Sequence, residues 1–234
     1  MRHQRSAGLL LIGVSVGLLA CTGNAETQDA PEAMEVADLT MDECWLRDIS
    51  QEDARARISP RSVTPVTFEN GQGVLCYGAP SARGREIMGG LVPFGQAWRV
   101  GADEATALHL SGPASIGGVS LEAGTYSIYA EPGEEEWTFF VNPNYERWGI
   151  PIMPAVRETE IGSFTATPET MDEMVETMQF RYEPNDANTM GDIVFEWENT
   201  RVKFHLHPGG CANAGAVVRP YSLRTRVCRA LSRP

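Results

Sequence analysis

The chain has 234 residues with ordinary globular aromatic and apolar content, enough for one domain with a proper core and too apolar for a disordered protein. Its formal net charge is −12; removing residues 1–20, which carry Arg2 and Arg5 and no acid, leaves 17 bases against 31 acids, or −14. That balance argues against nucleic acid as a partner, because the phosphate backbone would be repelled. Lysine occurs once, at Lys203, so arginine supplies the other basic charge.

Residues 1–20 read as an export signal. Arg2 and Arg5 make a positive start, and Leu9 to Leu19 is an apolar run of signal-core length, too short to span a bilayer. The run ends Leu18-Leu19-Ala20-Cys21, which resembles the lipobox of bacterial lipoproteins, where cleavage precedes the cysteine and the cysteine is acylated. The resemblance implies a membrane anchor at Cys21 made of several acyl chains. Thr22, rather than aspartate, follows Cys21, so the inner-membrane retention signal is missing and the implied place is the cell envelope, at the outer membrane facing the periplasm. Residues 21–38 are polar, acidic and alanine-rich and read as a disordered tether. Residues 39–61 form an N-terminal extension with short helical turns: Thr40 and Glu43 make a capping box for a turn through Leu46, and Gln51 to Arg57 forms another.

From residue 62 to 207 the pattern is β. Strands are expected at Val63–Phe68 and Val74–Tyr77 around an Asn70-Gly71 turn, and at Ala105–Leu110. A small hairpin follows around Gly117-Gly118, then strands at Thr125–Ala130, Trp137–Val141, Ile161–Ala166, Met178–Tyr182, Met190–Trp197 and Arg201–His207. One mid-chain helix is expected, Pro168–Thr177. Some nine short strands with closely spaced turns predict an all-β fold, an antiparallel β-sandwich. The last hairpin can be registered on paper. A turn at Asn199-Thr200 sets Trp197 opposite Val202, Phe195 opposite Phe204 and Ile193 opposite Leu206, all on one apolar face. The other face sets Glu196 against Lys203, Val194 against His205 and Asp192 against His207. A slip of one residue would expose the apolar set.

The least periodic stretch, residues 77–106, concentrates glycine, proline and arginine, and long ordered loops of this kind are often functional. Arg83, Arg85 and Arg99 are forked donors suited to carboxylate or phosphate, and with Trp98 and Tyr77 as flat surfaces they form a candidate pocket in the loop 78–104 for an anionic or sugar-like ligand or a protein partner. The opposing structural reading bonds Arg99 to Asp103 or Glu104 and to loop carbonyls and puts Trp98 in the core, which would make the protein a purely structural lipoprotein. Used with Arg99, Asp103 or Glu104 would instead serve a hydrolase acting on a sugar or phosphate ester. No nucleotide loop and no nucleophile elbow is present, so the residues assign no catalytic group and no cofactor. His205, His207 and Asp192 are a weak metal alternative, opposed by Arg201 and Lys203 on the same face. His109 lies mid-strand, facing opposite to Leu108 and Leu110. With Cys21 assigned to lipid, Cys44, Cys76, Cys211 and Cys228 suggest two disulfides; of three connectivities, Cys44–Cys76 and Cys211–Cys228 are the local choice. The tail 208–234 is basic and carries the last two cysteines.

Arg83-Gly84-Arg85, Leu91-Val92-Pro93, Gly95, Trp98-Arg99, Gly101-Ala102 and Glu104-Ala105-Thr106 resemble the signature of the bacterial family catalogued as domain of unknown function 2911. Ile116-Gly117-Gly118, Leu121, Ala123-Gly124-Thr125-Tyr126-Ser127, Pro132-Gly133, Glu136-Trp137-Thr138, Trp148-Gly149 and Trp197-Glu198-Asn199-Thr200 fit it too, over residues 60–207. The resemblance implies a secreted or envelope β-sandwich and no assigned activity. The chain departs from the family pattern at Val100, where threonine is usual, at Asp103, where asparagine is usual, and at Ala79, where arginine is usual. The tail lies beyond the family's usual end.

Overall fold

The structure is a computed structural model that describes residues 44–209. The signal segment, the lipidation site Cys21, the tether and the cysteines of the basic tail lie outside the described residues. A short helix α1 (Gln51–Arg55) is followed by β1 (Arg61–Phe68), β2 (Gly71–Gly78), β3 (Ala102–Leu110), β4 (Ala114–Ile116), β5 (Val119–Leu121), β6 (Gly124–Glu131) and β7 (Trp137–Asn142). After these come a single turn of helix α2 (Pro154–Arg157), then β8 (Gly162–Ala166), β9 (Pro168–Pro184) and β10 (Gly191–Pro208). Two antiparallel sheets form, one ordered β1-β2-β3-β6-β7-β8 and the other β5-β4-β10-β9. This is the expected all-β sandwich, with ten strands among the described residues; β9 extends back over the expected helix, and β10 takes in both strands of the last expected hairpin.

The core lies between the sheets. Leu75, Leu108, Ile128 and Phe139 of the larger sheet meet Ile193, Phe195, Phe204 and Leu206 of the smaller one, and all are buried. Phe139 is 4.9 Å from Phe204 and 5.2 Å from Phe164, ring to ring. Each such aromatic or branched side chain contributes about 1.5–3 kcal/mol on leaving water.

Within the continuous element β10 the chain doubles back. Asp192 bonds His205, Arg201 bonds Glu196 at 2.7 Å, and Lys203 reaches Glu183, the cross-strand neighbour of Asp192, at 3.2 Å. Thirteen residues of straight strand would hold Asp192 and His205 roughly 40 Å apart. The two halves therefore lie side by side about a tip at Glu198, which takes φ 53. Ile193, Phe195 and Trp197 share the buried face with Val202, Phe204 and Leu206, as the paper register requires. On the opposite face the partners are shifted by one diagonal: Asp192 pairs with His205 and not His207, and Glu196 with Arg201 and not Lys203.

The expected helix 168–177 is strand. β9 pairs residues 168–170 with 200–202, passes the tip with Val175 opposite Glu198, and then pairs 179–184 with 191–196. A ten-residue helix has little stability of its own, and the free backbone edges of the β10 hairpin supply partners that override it. Cys44 to Leu46 are not helical, so the described part of the first expected turn is absent, while α1 forms with Ser50 as its N-cap. The first β-turn is centred one residue early: Phe68 pairs with Gly71, and Asn70 takes the positive φ of 67.

Candidate functional site

The loop between β2 and β3 is built on its own backbone. Arg85 N–H donates to the Ala82 carbonyl at 3.1 Å, Leu91 to Glu86 at 3.0 Å and Val92 to Ile87 at 2.8 Å. Several ties hold it to the sandwich, among them the Ala82 N–H donating to the Glu176 carbonyl at 2.7 Å and the Gly95 N–H to that of Pro132 at 2.8 Å. Trp98 and Ala130 exchange backbone bonds of 2.7 and 2.9 Å, and the Glu198 carboxylate at the β10 tip accepts the N–H groups of Ile87 and Met88 at 3.2 and 3.4 Å. The loop is thus a shaped wall. Arg83 takes φ 55 and Val100 φ 52, the latter an outlier for a buried β-branched residue and a local strain of about 1–3 kcal/mol.

Between this wall and the segment around Ile58 opens a cleft of about 340 Å³. Arg83, Arg85, Trp98 and Arg99 line it, with Ile58, Leu91, Ile150 and Trp197 among their neighbours. Trp98 is half-buried, stacked on buried Trp197 at 6.0 Å and edge-on to Trp137 and Phe195. It is therefore both a core residue and a cleft residue. Arg85 donates from Nε and Nη2 to the carbonyls of Ala82 and Ser81 at 2.9 and 2.8 Å, and Arg99 Nε donates to Gly101 at 2.9 Å. Arg83 makes a long 3.5 Å contact to the Ile58 carbonyl. These bonds orient the guanidinium groups but leave most of their donors unspent. Among the described residues none of the three forms an ion pair. Burial pushes the Arg99 guanidinium below its ordinary range, opposed by Asp103 and Glu104; arginine at physiological pH stays charged.

Three sequence-level candidates stand elsewhere. Tyr77 is in the core, edge-on to Phe180 at 5.0 Å, its hydroxyl accepting the Phe180 N–H at 3.2 Å. Glu104 is fully buried and engaged by Arg57 at 2.7 Å and by the Arg47 N–H at 3.3 Å. Asp103, at φ 61, stands 3.7 Å from Arg57. No carboxylate or imidazole is among the residues lining the cleft, so the arrangement proposed for a hydrolase, Glu104 or Asp103 working with Arg99, is not assembled there. His205 is taken by Asp192, and the described residues contain no group of three His, Cys, Asp or Glu suited to a metal.

Cys44 and Cys76 form a disulfide, which ties the N-terminal segment to β2. The Arg57–Glu104 pair ties it again, to β3. Together they carry Ile58 and Ser59 to the mouth of the cleft. Ile150 arrives through another long-range tie, the Gly149 N–H donating to the Asp103 carbonyl at 2.8 Å. Neither residue was identified from the sequence, because what places it is tertiary.

The sequence pattern of a family described as "Protein of unknown function (DUF2911)" matches residues 59–206. The chain belongs to that family. No curated protein and no solved structure matches it. The matched DUF2911 span holds both sheets and the loop wall, whereas Ile58, Arg57 and Cys44 precede it. One lip of the cleft is therefore supplied by chain outside the family pattern. At Asp103 the backbone takes a positive φ, a conformation that aspartate and asparagine both tolerate.

Proposed function

We propose that this protein is a lipid-anchored module of the bacterial cell envelope, held at the outer membrane through Cys21, that binds a small anionic ligand in the cleft walled by the loop 78–104. One observation carries the binding reading: Arg83, Arg85 and Arg99 converge on one concave surface beside Trp98 with no acid paired to them. Charge-assisted bonds from arginine to carboxylate or phosphate are the strong ones, and a partly enclosed cleft strengthens them. Support for the anchor is the lipobox-like Leu18-Leu19-Ala20-Cys21.

Binding is tested by a thermal-shift and calorimetric screen of small carboxylates, phosphates and sugar phosphates against the parent and an Arg85→Gln/Arg99→Gln variant. Losing two charge-assisted contacts should weaken a genuine ligand about ten- to a hundredfold. A ligand bound equally by both proteins defeats the cleft assignment. For the anchor, Cys21→Ser should move the protein from the membrane to the soluble fraction; unchanged fractionation refutes it.

A further inference from the structure

We infer that the ligand is an amphiphile: one carboxylate or phosphate group carried on an apolar body. This rests on the anion-binding reading above and narrows it. Nine large apolar side chains stand exposed among the described residues, and three of them, Ile58, Leu91 and Ile150, line this cleft together with the arginines. Ile58 is 75% exposed, Leu91 48% and Ile150 44%. Scattered exposed apolar residues need no explanation, but a cluster in a concave site marks a surface that is covered in use. The three arrive from three separate chain segments. Ile58 is delivered by the disulfide-tied N-terminus, Leu91 by the loop wall and Ile150 by the segment held to Asp103. The convergence is therefore a property of the folded site and not of one apolar stretch.

The cleft's charge selects the occupant. A neutral hydrocarbon would leave three guanidinium groups facing an apolar body. Inorganic phosphate or a bare sugar would leave Ile58, Leu91 and Ile150 in water. An anion with an apolar body satisfies both, its charged end on Arg83, Arg85 and Arg99 and its body against the isoleucines and Leu91. Such a group exists on a free amphiphile and on an anionic lipid headgroup with its first acyl carbons; the chemistry at the cleft is the same.

The test uses the full chain carrying Cys21→Ser, so that an acyl anchor cannot contribute, titrated with inorganic phosphate and with butyl, hexyl and octyl phosphate as monomers. Affinity should rise about two- to fourfold per methylene until the body passes the rim. Leu91→Ser/Ile150→Ser should flatten that rise; both side chains are substantially exposed, so an unchanged melting temperature shows that the fold is kept. Arg85→Gln should weaken every member by a similar factor. Retention on phosphatidylglycerol vesicles that octyl phosphate displaces identifies a lipid headgroup as the source, and octyl phosphate binding without vesicle retention identifies a free amphiphile; either supports the inference. Equal affinity for inorganic and octyl phosphate overturns the amphiphile but leaves the anion site standing. Failure of every phosphate and of the matching carboxylates, butanoate to octanoate, overturns both.

Discussion

Replacing Glu104 by glutamine changes one charge and almost no volume, and the structure sets what that costs. The carboxylate side chain is 1% exposed; Arg57, which it holds at 2.7 Å, is 20% exposed. The Arg47 N–H bonds Oε1 and Arg57 bonds Oε2, so the amide oxygen keeps one of these donors while its NH2 faces the other, a loss of about 1–2 kcal/mol. The larger part concerns Arg61. It is 3% exposed, its Nε and Nη1 have no hydrogen-bond partner, and burial pushes its pKa down to about 10 against the opposing charges of Glu104 and Asp103. Neutralising Glu104 leaves this buried cation with Asp103 alone, adding about 2–3 kcal/mol. The sum, about 3–5 kcal/mol, corresponds to a fall in Tm of about 6–20 °C for a domain of this size. Urea and thermal melts of Glu104→Gln should show it, and Glu104→Gln/Arg61→Met should recover most of the loss, because the uncompensated charge is gone. pH adds a second readout. Burial opposes ionisation of Glu104, but bonds from Arg57, from its own backbone and from Arg47 outweigh it and hold the carboxyl below its ordinary 4.5. A depressed folded pKa gives stability that is present above 4.5 and lost as the pH falls below it. The variant should lack that component of acid destabilisation. Melting within a degree of the parent, or no recovery with Arg61→Met, would refute this account of the buried charges.

Cys44→Ser/Cys76→Ser opens a loop of 32-residue separation and should cost about 3–4 kcal/mol by chain entropy, read from urea melts without reductant; an unchanged midpoint contradicts the disulfide as a stabiliser. Burial, aided by the Arg61 charge, lowers the His109 pKa from 6.5 to about 4, so the parent should lose stability as pH falls from 6.5 towards 4; His109→Gln should flatten Tm over that window, and an identical slope would count against it. A Cβ on Gly149 would meet Arg99 Cδ at 2.1 Å and the Asp103 carbonyl at 2.9 Å, so Gly149→Ala should destabilise by about 1–3 kcal/mol and weaken anion binding by displacing Arg99; unaltered melting together with unaltered binding would show that Arg99 is not held as described.

What could be read from the chain divides by range. Alternation over residues 193–197 and 202–206 was legible because burial on one face of a strand is a local, period-two property, and the break in parity between Trp197 and Val202 fixed where the strand doubles back. The path of β9 was not legible. Met171 to Glu173 cross the tip of β10 because partners distant in sequence hold the chain on either side of it. Tyr77 was misplaced although parity carried the answer, since it shares a face with buried Leu75. Glu104 was harder, because the left-handed backbone at Asp103 interrupts the alternation just before it.

The two groups of arginines show why charge alone does not mark a site. Arg181 and Arg201 look on paper like Arg83 and Arg85. Yet Arg181 donates to Glu196 at 2.8 and 3.0 Å and Arg201 at 2.7 Å, Gln179 adds a third donor, and these bonds hold the carboxyl at about 2. The fold-back of β10 and its pairing with β9 bring an acid to both arginines, so their charge is spent within the protein. At the cleft the same guanidinium groups are oriented by carbonyls, which fix geometry without cancelling charge. An arginine braced by neutral acceptors and facing a concave surface keeps more of its attraction for an anion, even at Arg99, where Asp103 and Glu104 act from nearby. That difference, set by what the backbone brings to each group, is the physical ground for placing the ligand at Arg83, Arg85 and Arg99 and not on the β9–β10 face.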